Sequence, residues 1–208
     1  MENIKPLEGI KVVELSLMLA APGCARMMAD WGAEVIKVED TGRGDAFRLW
    51  AASVGAPVDD DCNPMFDQLN ANKKAISLNL KTEEGMKIMH KLLSDADVFI
   101  TNIRPHALKG LRLDYENLKE KYPKLVVAQL FSYGEKGPDK DKPGYDNAAF
   151  WGRSGVLYSQ SVYDGENGYP ISAPMGFGDT ICATAMLAAV TSTLVCAQRT
   201  GKGDRVSL

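Results

Sequence analysis

Near the end of the chain, Pro174-Met175-Gly176-Phe177-Gly178-Asp179 places one carboxylate beside two glycines, directly before the charge-free run 180–198. Glycines lack Cβ atoms and let a ligand come close to the backbone, while the start of a helix favours negative charge. A ligand seated against Gly176 and Gly178 would therefore meet Asp179. The same spacing has a plainer reading, because aspartate is a favoured N-cap whose side chain bonds the first free N–H groups of a helix. On spacing alone the cap is the commoner outcome.

Other reactive material is sparse. Only His90 and His106 supply imidazole, and Cys24, Cys62, Cys182 and Cys196 are scattered with no Cys-x-x-Cys pair. This argues against a metal site and against a Ser–His–Asp arrangement. The opening Met1-Glu2-Asn3-Ile4-Lys5 lacks the apolar run of a secretion signal, so reduced thiols and a cytoplasmic setting are expected. A net charge of −3 and a pI near 5.5 disfavour a nucleic-acid partner. The run 180–198 is long enough to span a bilayer. It carries Thr180, Thr184, Thr191, Ser192, Thr193 and Gln198, so a core helix packed closely on both sides is expected instead of a membrane partner.

A site of this kind needs a frame. Runs at 10–16, 34–39, 75–80, 97–102, 125–131 and 204–208 are short, rich in branched apolar residues and bounded by turn formers, which predicts strands. Helices are predicted at 23–32, at 82–93 with Thr82 as cap, from Arg104-Pro105 to 111, at 115–121 behind Asp114, at 146–155, and from 180 to 199. The repeated β-α-β alternation implies an α/β fold, a doubly wound, mostly parallel, Rossmann-like sheet with helices on both faces. Ligands of such sheets bind beyond the carboxyl ends of the strands. The first turn reads Leu17-Met18-Leu19-Ala20-Ala21-Pro22-Gly23 in place of Gly-x-Gly-x-x-Gly, which disfavours a nicotinamide dinucleotide. Residues 42–64 read as a long surface loop bordering the site, and 159–169 as mobile. The last strand stops without a cap or tail, which suggests that the 208 residues are part of a longer chain.

The succession Pro6-Leu7-Glu8-Gly9-Ile10-Lys11-Val12-Val13-Glu14-Leu15, Ala21-Pro22, Gly32-Ala33-Glu34-Val35-Ile36-Lys37-Val38-Glu39, Gly44-Asp45, Asn72-Lys73-Lys74, Asn102-x-Arg104, Tyr133-Gly134, Gly144-Tyr145-Asp146 and Gly178-Asp179 resembles the class III coenzyme A transferases. The likeness runs over essentially all 208 residues in the family's motif order. The stretch 133–145 is most similar to members that pass CoA to 2-hydroxy acids of amino-acid fermentation, of the 2-hydroxyisocaproate and phenyllactate types.

The resemblance implies that Asp179 is the nucleophile, which reverses the preference for a cap. Asp179 would form a mixed anhydride and then an aspartyl-CoA thioester, with Gly176, Gly178 and Tyr145 near the reacting groups. It implies that Met18, Leu19, Ala20, Leu78 and Asn102 line the CoA site and that Arg104 and Lys109 meet phosphates. Asp40 and Gly110 stand where the formyl-CoA enzyme has basic residues, so its adenine and 3′-phosphate contacts do not carry over. Tyr145 occupies the position of a proton-shuttling histidine in related racemases. A phenol with a pKa of about 10 suits that task poorly. An acyl-CoA racemase of the same fold, or a CoA-binding fragment without catalysis, are the alternatives. CoA thioester is implied as substrate, with no resident cofactor, and with a small carboxylic acid and a second copy in an interlocked homodimer as partners. The chain would form the N-terminal part of the large CoA-binding domain, with the family's glycine-rich lid beyond Leu208.

Overall fold

The computed structural model describes residues 5–59, 61–162, 168–169 and 174–208. The elements run β1 (Lys11–Leu15), α1 (Ala20–Asp30), β2 (Glu34–Glu39), α2 (Phe47–Ser53), α3 (Pro64–Asn70), β3 (Lys74–Ser77) and α4 (Glu83–Ser94). They continue with β4 (Val98–Thr101), α5 (Pro105–Leu111), α6 (Tyr115–Leu118), β5 (Val126–Gln129), a π-helix (Asn147–Arg153), α7 (Val156–Ser159), α8 (Phe177–Thr200) and β6 (Arg205–Ser207).

The six strands are all parallel and ordered β3-β2-β1-β4-β5-β6. Moving outward from β1, the chain first fills one side of the sheet and then the other. This puts the topological switch between β1 and β4, where the loops leaving two adjacent strands diverge and open a crevice. The expected doubly wound sheet is therefore present, with β2 matching its run at 34–39 and the other strands slightly shorter than theirs.

Both faces of the sheet are covered, and strand alternation decides which side chain goes where. Val12, Val98, Ile100, Val126 and Ala128 join the core under α1 and α8. Val13, Phe99 and Val127 turn the other way, onto Met89 and Leu93 of α4 and Leu108 of α5. Each fully buried Val, Ile, Leu, Met or Phe side chain among them contributes roughly 1.5–3 kcal/mol. The central strands have no solvent face.

Local signals explain most boundaries. Thr82 caps α4 by accepting the Gly85 N–H, with Glu83 and Glu84 in the first turn. Asp114 stands before α6 but accepts the Asn117 side-chain amide instead of a backbone N–H, and that helix ends at Leu118. Residues 42–64, expected as loop, contain α2. Its first residue, Phe47, and Ala51 are buried, so tertiary packing makes a helix where no side-chain cap announces one. The helix expected at 146–155 is a π-helix. Residues 163–167, part of the stretch expected to be mobile, lie outside the described residues, and Val162 and Tyr169 form an antiparallel bridge on either side of it.

The long helix α8 differs from expectation in how it packs. Ala183, Met186, Leu187, Val190, Leu194 and Ala197, spaced three or four apart, are buried on one side. Ile181 and Val195 on the other side are exposed in this chain. The helix is long and apolar enough to cross a membrane by length and composition, yet its inner face lies on α1, β5 and β6. A helix apolar all round does not announce which face it will bury. The sheet offers one face only.

After α8 the chain turns at Gly201, whose φ is 71, and Gly203 passes over the β5 edge, where its N–H reaches the Pro123 carbonyl at 2.8 Å. A Cβ on Gly203 would overlap the Leu125 carbonyl. Gly203→Ala is therefore expected to shift the backbone under β6 and lower stability by about 1–3 kcal/mol, read as a lower denaturation midpoint. An unchanged midpoint would contradict this docking of β6.

Candidate active site

The start of α8 is built by a side chain from elsewhere. Gly176 takes the N-cap position in the left-handed region at φ 74 and has no side chain to offer. Asp146, just before the π-helix, fills the gap. Its Oδ2 accepts the Gly176 N–H at 3.2 Å and its Oδ1 accepts the Asp179 N–H at 3.0 Å. Asp179 lies third inside the helix, so it is not the cap. Its carboxylate is half-buried and takes no hydrogen bond among the described residues. Burial first, and the Asp146 charge second, push its pKa up to about 6.

Gly178 is glycine for a reason other than ligand approach. The space a Cβ would need is filled by the Phe150 ring and by Asp146 Oδ1. The Phe150, Trp151 and Phe177 rings pack together beside it, with Trp151 and Phe177 centroids 5.6 Å apart. At Gly176 the neighbour is Leu19, whose methyl would stand 3.4 Å from an added Cβ. Tyr145 is 72% exposed. It is Asp146, the next residue, that touches the turn.

Through Leu19 the start of α8 meets the loop leaving β1, so the structure brings the expected Met18–Ala20 stretch and the Asp179 turn together. Met18 and Leu19 are partly exposed and Ala20 is buried at the start of α1. Asn102, beyond β4, spends its amide on this loop: its Oδ1 accepts the Leu17 N–H at 3.0 Å and its Nδ2 donates to the Leu17 carbonyl at 2.7 Å. Leu78 is buried beyond the end of β3. Arg104, just before α5, and Lys109 within it are exposed and have no ion pair among the described residues. Lys109 borders a cavity of about 210 Å³ shared with Tyr115, Phe131 and Arg205. A second cavity, of about 350 Å³, opens at the ends of β2 and β3 between Asp40, Arg43, Gly44, Arg48 and Ser77. Arg48 is held by Glu39 at 2.7 and 2.8 Å, whereas Arg43 is exposed without an ion pair among the described residues.

The sequence reading missed the group behind these loops. Glu14, Lys37, Asp45 and Lys73 have side chains at most 1% exposed. Lys37 Nζ lies 2.8 Å from Glu14, 2.9 Å from Asp45 and 3.1 Å from the Ser16 carbonyl. Lys73 Nζ lies 2.7 Å from Glu14, 2.9 Å from the Pro22 carbonyl and 3.0 Å from Asn70 Oδ1. Burial pulls the Lys73 ammonium down to about 8, while for Lys37 the two carboxylates outweigh burial and raise it. One signal was available: Glu14 and Lys37 are charges inside otherwise apolar strands, and they fall directly opposite each other in the β1–β2 register. Among the described residues no three His, Cys, Asp or Glu side chains are placed to hold a metal ion.

An acid whose pKa is raised on folding loses stability as pH climbs from its ordinary value of 3.8 to about 6. Asp179→Asn should therefore stabilise the full-length protein at pH 7.5. Solvent screening and the lost attraction to the α8 N-terminus reduce the gain to about 1 kcal/mol. Chemical denaturation at pH 7.5 and near pH 4 checks this: the gain should be present at the first and vanish at the second. No gain at pH 7.5 would contradict the strained carboxylate.

Comparison with known proteins fits this geometry. The model of CoA-transferase family III matches residues 7–208. The (R)-2-hydroxy-4-methylpentanoate CoA-transferase of Clostridioides difficile is 48% identical over 202 residues, which are 97% of this chain and 50% of that protein. The cinnamoyl-CoA:phenyllactate CoA-transferase of Clostridium sporogenes is 48% identical over 206 residues, 99% of this chain and 49% of that protein. A crystal structure of a CaiB/BaiF family protein from Brucella suis superposes with a TM-score of 0.86 at 32% identity, covering 98% of this chain and 53% of its own. The chain spans about half the length of the curated relatives it matches. It belongs to CoA-transferase family III.

Proposed function

We propose that the full-length protein carrying this chain moves coenzyme A between an acyl-CoA and a free carboxylic acid, and that Asp179 is the nucleophile. The observation that carries this reading is the Asp179 carboxylate itself, half-buried, without a hydrogen-bond donor among the described residues and raised to about 6. Such a group is largely ionised at neutral pH and more basic than an ordinary aspartate, which makes it the better nucleophile.

The steps balance without a cofactor. A carboxylate oxygen of Asp179 attacks the thioester carbon, the C–S bond breaks, and the electron pair leaves on sulfur as CoA thiolate. The thiolate then attacks the Asp179 carbonyl carbon of the mixed anhydride and releases the donor acid as carboxylate, leaving an aspartyl-CoA thioester. The acceptor carboxylate attacks that thioester, expels thiolate again, and the thiolate takes the acceptor acyl group while Asp179 regains its carboxylate. Oxyanions form next to the start of α8, whose positive end favours them. The anhydride must be kept from water, and the packed rings of Phe150, Trp151 and Phe177 line one side of the turn with apolar surface.

The acceptor is a 2-hydroxy acid, of the kind met in amino-acid fermentation; two relatives whose names specify 2-hydroxy acids support the first part of this reading. CoA lies over the Met18–Ala20 loop and Leu78, with Arg104 and Lys109 towards its phosphates. The chain contributes the N-terminal part of the CoA-binding domain. A second copy pairs with it, supported by the exposed apolar side of α8. Four free thiols fit a reducing compartment, the cytoplasm.

Incubation of the full-length protein with acyl-CoA and hydroxylamine, followed by peptide mass spectrometry, tests the reading. A hydroxamate on Asp179 is expected, together with loss of transfer by several orders of magnitude in Asp179→Ala. An unmodified Asp179 and a variant that turns over normally would refute it.

A further inference from the structure

The loop leaving β1 adopts a shape its residues would not choose alone. Met18 sits at φ 69, in the left-handed region that disfavours any residue with a Cβ. Such a conformation persists only where the surroundings impose it. Here three consecutive residues are each gripped by a side chain from a different part of the fold. Lys37 of β2 holds the Ser16 carbonyl at 3.1 Å, Asn102 beyond β4 holds both backbone groups of Leu17, and Asp45 holds the Met18 N–H at 3.0 Å. The next residue is Leu19, which abuts Gly176.

Asp45 is the most tightly determined of the three. Its Oδ1 also accepts the Phe47 N–H at 3.0 Å, its Oδ2 lies 2.9 Å from Lys37 Nζ, and its own N–H donates to Glu39 Oε2 at 2.9 Å. It is fully buried, so it cannot touch a ligand. A carboxylate fixed from that many directions is a rigid acceptor, able to dictate where the Met18 amide goes.

We propose that Asp45 is a positioning residue for CoA: by holding Met18 in the left-handed turn it shapes the Met18–Leu19 loop and seats Leu19 against the turn that presents Asp179. This rests on the CoA-transfer reading given above. A residue that only supported the fold would change stability and leave ligand affinity in the folded protein untouched. Asp45 should change affinity.

The test compares full-length wild type, Asp45→Ala and Asp45→Asn, each well below its own Tm. The readouts are the Kd of free CoA by calorimetry and KM for acyl-CoA and for the acceptor acid. Asp45→Ala, which lacks the acceptor oxygen, should weaken CoA binding and raise the acyl-CoA KM about tenfold or more, with the acceptor KM unchanged. Asp45→Asn keeps an oxygen at the Oδ1 position and should stay within about threefold of wild type. A folded alanine variant that binds CoA as well as wild type overturns the positioning role and leaves the transfer reading standing. A wild type that binds no CoA overturns both. Should the alanine variant not fold, Asp45→Glu decides: it keeps the charge beside Lys37 but displaces the acceptor oxygen from the Met18 N–H, so a tenfold loss of CoA affinity in folded protein supports the proposal and wild-type affinity refutes it.

Discussion

Glu14 is a carboxylate with no exposure in the middle of an apolar sheet, and the ends of four elements depend on how it is neutralised. A buried charge costs several kcal/mol unless its partners are close and complete. Here they are close. Glu14 accepts from Lys37 and Ser16 on one oxygen and pairs with Lys73 on the other, and each lysine donates to two acceptors and lies against a further carboxylate at 2.9 Å or less. With Asp45 the four charges sum to zero. Removing any one of them would leave another buried and unpaired, so the cluster locks β1, β2, the start of α1 and the end of α3 into one arrangement. The crevice at the β1–β4 switch point inherits that rigidity.

Asp179 is the opposite case. It is a carboxylate of the same kind, half-buried, yet the fold gives it no donor among the described residues and places a second carboxylate behind it. Asp146 accepts the Gly176 and Asp179 N–H groups, so the helix start is capped without the Asp179 side chain. One acid therefore completes the helix and the other is left half-buried without a donor among the described residues. Strain of this kind, concentrated in one side chain and supported by a well-satisfied surround, is what a covalent nucleophile requires.

The sheet was legible in the chain because its central strands are continuous branched apolar runs, and such runs belong between two helix layers. The α2 helix was not legible, since the segment 47–53 has no cap and gains its helicity from burying Phe47 and Ala51. Lys73 and Lys74 are neighbours of the same type; one is buried beside Glu14 and the other pairs at the surface with Glu34. Nothing in residue type alone separates them. Gly178-Asp179 was visible as a motif, but the physical reason for its glycine was not. Gly178 makes room for Phe150 and Asp146, and Asp146 is 33 residues away in the chain. Long-range side-chain capping has no local sequence signature.

Direct titration of Asp179 by carbon-13 NMR in the full-length protein reads the state of this carboxyl group most plainly. The structure predicts a midpoint of about 6, well above the ordinary 3.8. A midpoint at or below 3.8 would mean that donors already hold the carboxylate, and would contradict the claim that the fold keeps it free to react.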